Sequence, residues 1–308
     1  MKPQNCILVG APMDSGKARK GCLMGPDAYR TAGIGPMIRD LGHTMQDLGN
    51  LTPAPHDLPA GVLTEAHAAS ETIGWTKTLT DAAFDAAQRG FPIFLGGDHA
   101  LSLGTVAGMA KYAQSVDKPL FVLWLDAHTD YHTPETSDTG NLHGTPLGYV
   151  TGRSGFEAFP PLPATVVEDN ICLIGLRSVD SAEAAALAQS DMHPVDMRRI
   201  DEIGIAAPLK AFIEKVKSVD GLLHVSLDVD FLDPSIAPAV GTTVPGGATF
   251  REAHLVMEML HDSDCVASLD LVELNPFLDE RGRTANLMVD LTASLLGKRV
   301  FDRPTNQF

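Results

Sequence analysis

The sequence predicts an α/β protein built around a mostly parallel β-sheet. Short apolar runs alternate along the chain with longer amphipathic or alanine-rich stretches, as a parallel sheet with crossover helices requires. The apolar runs are nearly continuous, which is typical of strands buried on both faces. Acidic and histidine residues stand directly after several of these runs. Because ligands bind outside the carboxyl ends of parallel strands, this placement predicts a functional site at one edge of the sheet.

Six segments carry the strand pattern and six carry the helix pattern. The strands are predicted at residues 6–10, 92–95, 120–125, 170–176, 222–227 and 266–271. The helices are predicted at residues 61–89, 102–114, 181–189, 207–217, 250–261 and 284–296. The proline-rich residues 152–163 and the segment 279–283 are predicted to be surface loops. The sequence contains no internal repeat and no low-complexity linker.

The composition is that of an acidic α/β protein with a substantial core. The chain has 308 residues, of which 44% are hydrophobic and 20% are charged. Its 39 acidic residues outnumber its 23 basic residues, so the formal net charge is −16. Such a chain is a poor partner for the phosphate backbone of nucleic acids, whereas metal cations and cationic small molecules remain compatible with it.

The start of the chain and its cysteines predict a cytoplasmic protein. The first apolar run is too short for a secretory signal peptide, and no uncharged apolar stretch is long enough to span a bilayer. The four cysteines are far apart, and Cys6 and Cys172 lie in apolar runs. This spacing indicates buried thiols in a reducing compartment and disfavours a disulfide framework or a zinc knuckle.

Carboxylate and imidazole side chains follow four of the predicted strands. In chain order these residues are His99, Asp126, His128, Asp130, Asp228, Asp230 and Glu273. In an extended segment the side chains at i, i+2 and i+4 point to one side, so the three ligand-type residues of the sequence DAHTD are expected to converge. Asp228 and Asp230 repeat the two-residue spacing.

Four carboxylates in one place repel each other strongly unless a counter-charge is present. Two divalent cations supply that charge, because four carboxylates and two neutral imidazoles balance them. The donors are oxygen and nitrogen without thiolate, which favours manganese, magnesium or iron-like ions over a structural zinc site. Taken alone, a residue such as Asp228 is better explained as a strand-end cap. For all six Asp and His residues together, a two-metal site is the better explanation.

Two other segments resemble known sequence signatures but lack residues that those signatures require. Residues 10–18 follow a strand as a phosphate-binding P-loop would, but five residues separate the glycines instead of four. In addition, Ala18 stands where a Ser or Thr would hold magnesium, so we predict a flexible loop. Residues 100–104 lack the first glycine of a nucleophile elbow, and Ser102 is therefore predicted to be an N-terminal helix residue.

His143 stands apart from most of the eleven histidines because it follows the DAHTD motif closely, in the sequence GNLHG. A histidine titrates near neutral pH and can carry protons to and from a site. We therefore predict a proton-shuttling role for His143. The histidines predicted to be structural are His43, His56, His67, His193, His224, His254 and His261.

Several segments resemble the ureohydrolase superfamily and, within it, the arginase family. They are GGDHALSLG, WLDAHTDYHTPETSDTGNLHGTPL, IGLRSVD, SLDVDFLDPSIAPAVGT and SLDLVELNP, with VGAPMDSGKARKGCLMGPDAYRTAGI at the start. The resemblance covers nearly the whole chain, and the NLHG segment points to arginase within the superfamily.

The resemblance implies a three-layer α/β/α fold of the arginase/deacetylase type, with a central, mostly parallel sheet of about eight strands. It implies a single catalytic domain over residues 1–308, two divalent metal ions, with Mn²⁺ as the expected metal, and assembly as a homotrimer or homohexamer. The implied reaction converts L-arginine to L-ornithine and urea by attack of a metal-bridged hydroxide on the guanidinium carbon.

The resemblance also implies residue roles. The implied metal ligands are His99, Asp126, His128, Asp130, Asp228 and Asp230, of which Asp126 and Asp228 would bridge the two ions. The implied catalytic residues are Asp130, His143 and Glu273, with Glu273 on the substrate guanidinium. The implied substrate-binding residues are His132, Thr139, Asn141, Asp180, Glu183 and Thr242. His132 replaces the Asn usual in the family and Thr139 replaces a frequent Ser, and both can still donate a hydrogen bond.

The sequence leaves two alternatives to arginine hydrolysis. The first is another ureohydrolase, acting on agmatine, guanidinobutyrate or a formimino compound. Asp180, Asn141 and Thr139 favour arginine over these, because such residues are needed only for a substrate with both an α-amino and an α-carboxylate group. The second is a non-catalytic protein of the same fold that binds metal or arginine. The complete ligand set disfavours it.

Overall fold

Eight parallel strands form one sheet in the computed structural model, which describes residues 4–299. The strands are β1 (Asn5–Ala11), β2 (Thr44–Asn50), β3 (Phe91–Gly96), β4 (Leu120–Leu125), β5 (Ile171–Leu176), β6 (His193–Asp196), β7 (Leu222–Asp228) and β8 (Val266–Val272). Their order across the sheet is β2-β1-β3-β8-β7-β4-β5-β6, and every neighbouring pair is parallel. The predicted fold class is confirmed.

Helices cover both faces of this sheet. They are α1 (Gly25–Thr31), α2 (Ile34–Asp40), α3 (Ala69–Arg89), α4 (Ser102–Ser115), α5 (Pro146–Val150), α6 (Ser181–Leu187), α7 (Met197–Ile203), α8 (Ala206–Ser218), α9 (Phe250–Ser263) and α10 (Arg283–Leu295). Alternate strand residues enter two separate cores, as Leu8 and Val9 do. One core contains residues of α1, α2 and α7–α10, and the other contains residues of α3–α6. The molecule therefore has three layers.

The six predicted strands are the six inner strands of the sheet, and each agrees with the structure to within one residue at either end. The prediction missed the two edge strands, β2 and β6. The sequence of β2, TMQDLGN, is polar, and most of its residues are exposed or half-buried. The four residues of β6 include Pro194, a residue that sheets accept mainly at their edges. Both edge strands are largely exposed, so they lack the continuous apolar run of a strand that is buried on both faces.

The first predicted helix is wrong at its start. Residues 61–68 form turns, and α3 begins at Ala69. Leu63 and Ala68 adopt left-handed φ values of 52° and 44°, which an α-helix cannot contain. The His67 amide donates a hydrogen bond of 2.8 Å to the Gly140 carbonyl, so this segment is bonded to a distant loop. The short helices α2, α5 and α7 were also missed, whereas α1 is the helix that the family resemblance implied for the N-terminal segment.

The remaining sequence features lie as expected. Residues 152–163 form a loop, and Ser102 is the first residue of α4. All four cysteines are free thiols, and Cys6, Cys22 and Cys172 are buried. None of the helices within residues 4–299 has the length and apolarity needed to cross a membrane.

Candidate metal centre and substrate cavity

The polar residues identified from the sequence meet at the carboxyl ends of four adjacent strands. In sheet order these strands are β3, β8, β7 and β4. His99 lies three residues beyond β3, and Glu273 directly follows β8. Asp228 is the last residue of β7, and Asp126 directly follows β4. Because parallel strands end at the same edge of a sheet, residues far apart in sequence come into contact here.

One group of side chains surrounds the His99 ring. Its Nδ1 lies 3.0 Å from Asp126 Oδ2, 3.0 Å from Asp130 Oδ2 and 3.1 Å from Asp228 Oδ2. The other ring nitrogen, Nε2, lies 2.8 Å from the Ser226 hydroxyl. The same ring stacks on Trp124 with a centroid separation of 4.1 Å and an interplanar angle of 2°. The imidazole is therefore fixed by its neighbours, with Nδ1 facing three carboxylates.

A second group adjoins the first through Asp126. His128 Nδ1 lies 3.3 Å from Asp126 Oδ1 and 3.2 Å from Asp230 Oδ2. Asp126 contributes one oxygen to each group, as a bridging ligand would. Asp228 contributes Oδ2 to the first group, while its Oδ1 accepts the Asp230 amide at 2.7 Å. A contact of Asp228 with a second ion stays a prediction.

The local backbone differs from the extended segment that the spacing suggested. Asp130 has a left-handed φ of 47°. The backbone therefore turns at this residue and does not continue as an extended strand. Glu273 likewise has a positive φ of 67°. Residues other than glycine seldom adopt this conformation, and when they do they concentrate at functional sites. Tertiary contacts, and not strand periodicity alone, bring Asp130 towards His99.

Burial makes this concentration of carboxylates electrostatically demanding. Asp228 and Asp230 are 2% and 1% exposed. Desolvation, together with the charges of Asp230 and Asp126, raises the pKa of Asp228 well above its usual range. Desolvation and the Asp126 charge raise the pKa of Asp130 to about 6. For both residues, the chain alone disfavours the ionised form that a metal ligand must take.

Two buried polar atoms that lack hydrogen-bond partners indicate that a cation fits this site. His99 Nδ1 and Asp126 Oδ2 are fully buried, yet neither has a hydrogen-bond partner in the described chain. Buried polar atoms without partners are rare because each one costs free energy. These two atoms lie 3.0 Å apart, and both are metal-ligating types. A divalent ion would complete the coordination of both atoms and neutralise the carboxylates.

A cavity of about 230 Å³ opens above the cluster. It is lined by all six Asp and His residues of the cluster and by His143. It is also lined by the six residues predicted to bind substrate, which we call the substrate rim: His132, Thr139, Asn141, Asp180, Glu183 and Thr242. One space therefore joins both predicted sets.

One side of the substrate rim is acidic. His132 Nε2 lies 3.2 Å from Asp180 Oδ2 and 3.5 Å from Glu183 Oε2, while its Nδ1 lies 3.1 Å from the Thr136 hydroxyl. The Asp180 side chain is 74% exposed, whereas that of Glu183 is 6% exposed. Two carboxylates at a cavity mouth can receive an ammonium group.

The other side of the rim offers neutral hydrogen-bond donors. Asn141 Oδ1 accepts the Ala18 amide at 2.9 Å, which leaves its NH₂ group as the donor for a ligand. The exposed Thr139 lies two residues away and also faces the cavity. Deeper in the cavity, the Thr242 hydroxyl donates to Asp230 Oδ2 at 3.0 Å and is thereby tied to the cluster.

Glu273 is the one predicted site residue that does not line the cavity. Its Oε1 accepts the His99 amide at 2.9 Å and lies 3.0 Å from His143 Nδ1. Its Oε2 accepts a hydrogen bond from Lys17 Nζ. Both oxygens therefore have protein partners. These contacts favour a role behind His143, and the predicted contact with a guanidinium group stays a prediction.

Residues 12–18 form a loop, as predicted, but most of this loop is packed into the protein. Residues 13–17 are all buried, and Lys17 pairs with Glu273 behind the cavity. The contacts of this segment with the site were not predicted, because the ion pair joins residues that are 256 positions apart in sequence. Ser226, which holds His99, was also missed. One signal was available for Ser226, because it precedes Asp228 by two residues and so shares its face of β7.

Comparison with known proteins agrees with this geometry. The sequence pattern of the Arginase family matches residues 4–297. The arginase of Brucella melitensis is 60% identical over 98% of this chain and 99% of its own length. The arginase of Agrobacterium fabrum is 55% identical over 99% of this chain and 94% of its own length.

Solved structures give the same result. The arginase of Bacillus caldovelox superposes with a TM-score of 0.89 at 36% identity, covering 96% of this chain and 99% of that one. The arginase of Entamoeba histolytica in complex with L-ornithine superposes with a TM-score of 0.85 at 25% identity, covering 97% and 99%.

The fold and the His/Asp cluster define a three-layer α/β/α protein with residue groups that could bind metal ions at the carboxyl edge of its sheet. Within that class, the chain belongs to the arginase family, and it is a hydrolase of that family. The resemblance inferred from the sequence motifs is confirmed.

Proposed function

We propose that this protein hydrolyses L-arginine to L-ornithine and urea at the cavity described above. The observation that carries the proposal is that a single cavity is lined by both the buried His/Asp cluster and the substrate rim. The relatives named Arginase, at 55–60% identity, support the same reaction. The complex of the Entamoeba histolytica arginase with L-ornithine supports the same product.

The substrate rim supports recognition of an amino acid head group. The Asp180 and Glu183 carboxylates would attract an α-ammonium group. The Asn141 amide and the Thr139 hydroxyl would donate hydrogen bonds to an α-carboxylate. Agmatine lacks the carboxylate and 4-guanidinobutyrate lacks the amino group, so each of them would leave half of the rim without a partner.

The cluster would hold two divalent ions through His99, Asp126, Asp130 and Asp228 on one side and His128, Asp126, Asp228 and Asp230 on the other. When bound, such ions supply the charge that makes water nucleophilic near neutral pH. The protein has to hold the guanidinium carbon beside that water and keep the carboxylates ionised.

Two residues, Asp130 and His143, would transfer protons during the reaction. Asp130 lies at the cavity floor, where its carboxylate can accept a proton from the attacking water and pass it to the leaving amine. His143 lies at the cavity wall, and its Nδ1 is held by Glu273. Burial alone would lower the pKa of His143, but the hydrogen bond to Glu273 and the negative charges of Glu273 and Asp130 together raise it above its usual value. With Nδ1 engaged, Nε2 is the nitrogen that would exchange protons with solvent.

We also propose the metal, the location, the assembly and the domain organisation of the protein. The oxygen and nitrogen donors favour Mn²⁺ as the ion. Four free thiols favour a cytoplasmic location. Membership of the arginase family favours a homotrimer or homohexamer. One continuous sheet, with strands from Asn5 to Val272, favours a single domain over residues 1–308.

One assay tests the reaction. Manganese-loaded protein is incubated with L-arginine, agmatine and 4-guanidinobutyrate in parallel, and urea is measured. We expect kcat/KM for L-arginine to exceed the other two by about 10- to 100-fold, because losing one charged group and its hydrogen bonds costs roughly 1.5–3 kcal/mol. A preference for agmatine would contradict the arginine assignment. Binding of arginine without urea release would indicate a non-catalytic protein.

A further inference from the structure

The loop that follows β1 supports the substrate cavity from behind. The Gly16 carbonyl accepts the His143 amide at 2.9 Å, and the Gly16 amide donates to Asp98 Oδ2 at 2.8 Å. The Ala18 amide fixes the side chain of Asn141. A Cβ atom at Gly16 would lie 2.5 Å from Ala100 Cβ, so only glycine permits this close approach. The loop therefore lies against two residues of the cavity wall.

Lys17 projects from this loop into the protein. Its side chain is 3% exposed, and it forms an ion pair with Glu273, whose side chain is 1% exposed. Removing either charge from such a pair leaves the other buried and uncompensated, which is more costly than losing a surface salt bridge. Asp98, which is fully buried, lies close enough to add to the negative charge around Lys17. The ammonium group thus balances the carboxylates behind the cavity.

The Glu273 carboxylate connects Lys17 to the reactive part of the site. Its Oε2 accepts from Lys17, and the Cys22 thiol, a weak donor, lies 3.7 Å from the same oxygen. Its Oε1 faces His143 Nδ1 and the His99 amide. Since the two oxygens belong to one rigid group, fixing Oε2 also fixes Oε1. The position of Lys17 therefore affects the ring of His143.

We propose that Lys17 is a positioning residue of the hydrolytic site, which fixes the Glu273 carboxylate so that Glu273 holds the His143 ring at the cavity wall. The inference rests on the proposed arginine hydrolysis, in which His143 moves protons. Lys17 lines neither the cavity nor the cluster, so it would position the His143 ring through Glu273, in addition to the direct effect of its positive charge on His143.

The test compares Lys17→Met with Lys20→Met. Lys20 belongs to the same loop and carries the same charge, but its Nζ binds the carbonyls of Asp14 and Lys17 and does not reach Glu273. For Lys17→Met we expect kcat for arginine to fall roughly 10- to 100-fold, the scale of a disturbed proton transfer, with KM and bound metal within about threefold of wild type. We expect Lys20→Met to retain kcat within about threefold.

A double-mutant cycle separates positioning from a purely structural role. We expect Glu273→Gln and the double variant Lys17→Met/Glu273→Gln to have the same kcat within about threefold, because Lys17 has nothing left to position. In the double variant neither charge of the Lys17–Glu273 pair is left without its partner. The double variant can therefore still be compared with Glu273→Gln if Lys17→Met alone does not fold.

Two results would overturn the inference. One is a Lys17→Met protein with wild-type kcat, and the other is a kcat for the double variant well below that of Glu273→Gln. Metal content and the unfolding temperature are measured on every variant. Absence of urea release by the wild-type protein would instead contradict the proposed function, so the two failures are distinguishable.

Discussion

The His/Asp cluster and the substrate rim lie in one cavity but are built differently. Strand ends of the central sheet and the segments directly after them supply the cluster, and its member Asp126 is 1% exposed. Loops and the start of α6 supply the rim, and its member Asp180 has a side chain that is 74% exposed. Buried positions on a rigid sheet fix geometry, whereas exposed loop positions can change at low cost. We therefore expect the cluster to determine the reaction and the rim to determine the choice of substrate.

The sharpest test of this comparison removes a cluster residue. We expect Asp126→Ala to lower kcat/KM for arginine by roughly three orders of magnitude or more, because it takes an oxygen from both halves of the cluster. Urea release and bound manganese are measured together. Asp201→Ala, at an exposed position of α7, is the control and should behave as wild type. Full activity of the Asp126 variant would refute the assignment of the cluster.

His143 lies between the two regions, and its variant shows to which one it belongs. We expect His143→Ala to lower kcat about 100-fold, the usual scale for loss of a proton-transfer group, while bound manganese stays unchanged. Metal content and steady-state kinetics are compared on the same preparation. An equal loss of metal and activity would mean that His143 is a structural support of the cluster.

A rim substitution should change affinity more than rate. For Asp180→Asn we expect KM for arginine to rise roughly fivefold with kcat nearly unchanged, since an exposed charge contact is worth about 1 kcal/mol. Asparagine still caps the start of α6, so the fold is preserved. The ratio of kcat/KM for arginine to that for 4-guanidinobutyrate should decrease, because 4-guanidinobutyrate lacks the amino group that Asp180 would attract. A drop in kcat without a change in KM would place Asp180 with the cluster.

The smallest effect is expected on the stability of the loop that carries Thr242. Hydrogen bonds with Ser235, and with the amides of Gly246 and Gly247, lower the pKa of Asp233 from 3.8 to about 2. The carboxylate therefore stabilises the folded protein above about pH 4, and this contribution is lost as the pH falls through about 2. We expect Asp233→Asn to cost about 1 kcal/mol at neutral pH, after allowing for solvent screening.

Urea unfolding at several pH values measures the free-energy difference between Asp233→Asn and wild type. The difference should be constant from pH 7 to about pH 4 and should shrink below that. A difference that grows as the pH falls would contradict the assigned direction of the pKa shift.

Apolar runs in the sequence predicted the strands that are buried on both faces of the sheet, and they predicted the other elements poorly. The six inner strands are apolar along nearly their whole length, so a single sequence reveals them. The edge strands β2 and β6 lack that signal because most of their side chains are exposed or half-buried. The start of α3 was misplaced because the alanine-rich segment before it turns to meet the loop near Gly140, a contact that local composition does not encode.

By itself, the sequence determined the α/β class, the inner sheet and the ligand types at its carboxyl edge, because burial and two-residue spacing are local properties of a strand. Tertiary structure alone decided how those ligands divide around His99 and His128, that Asp130 needs a left-handed turn, and that Glu273 lies behind His143. It also paired Lys17 with Glu273 across 256 positions of sequence separation. Such a pair exists only after the chain has folded, since the charges of two buried side chains can compensate each other only where the fold places them in contact.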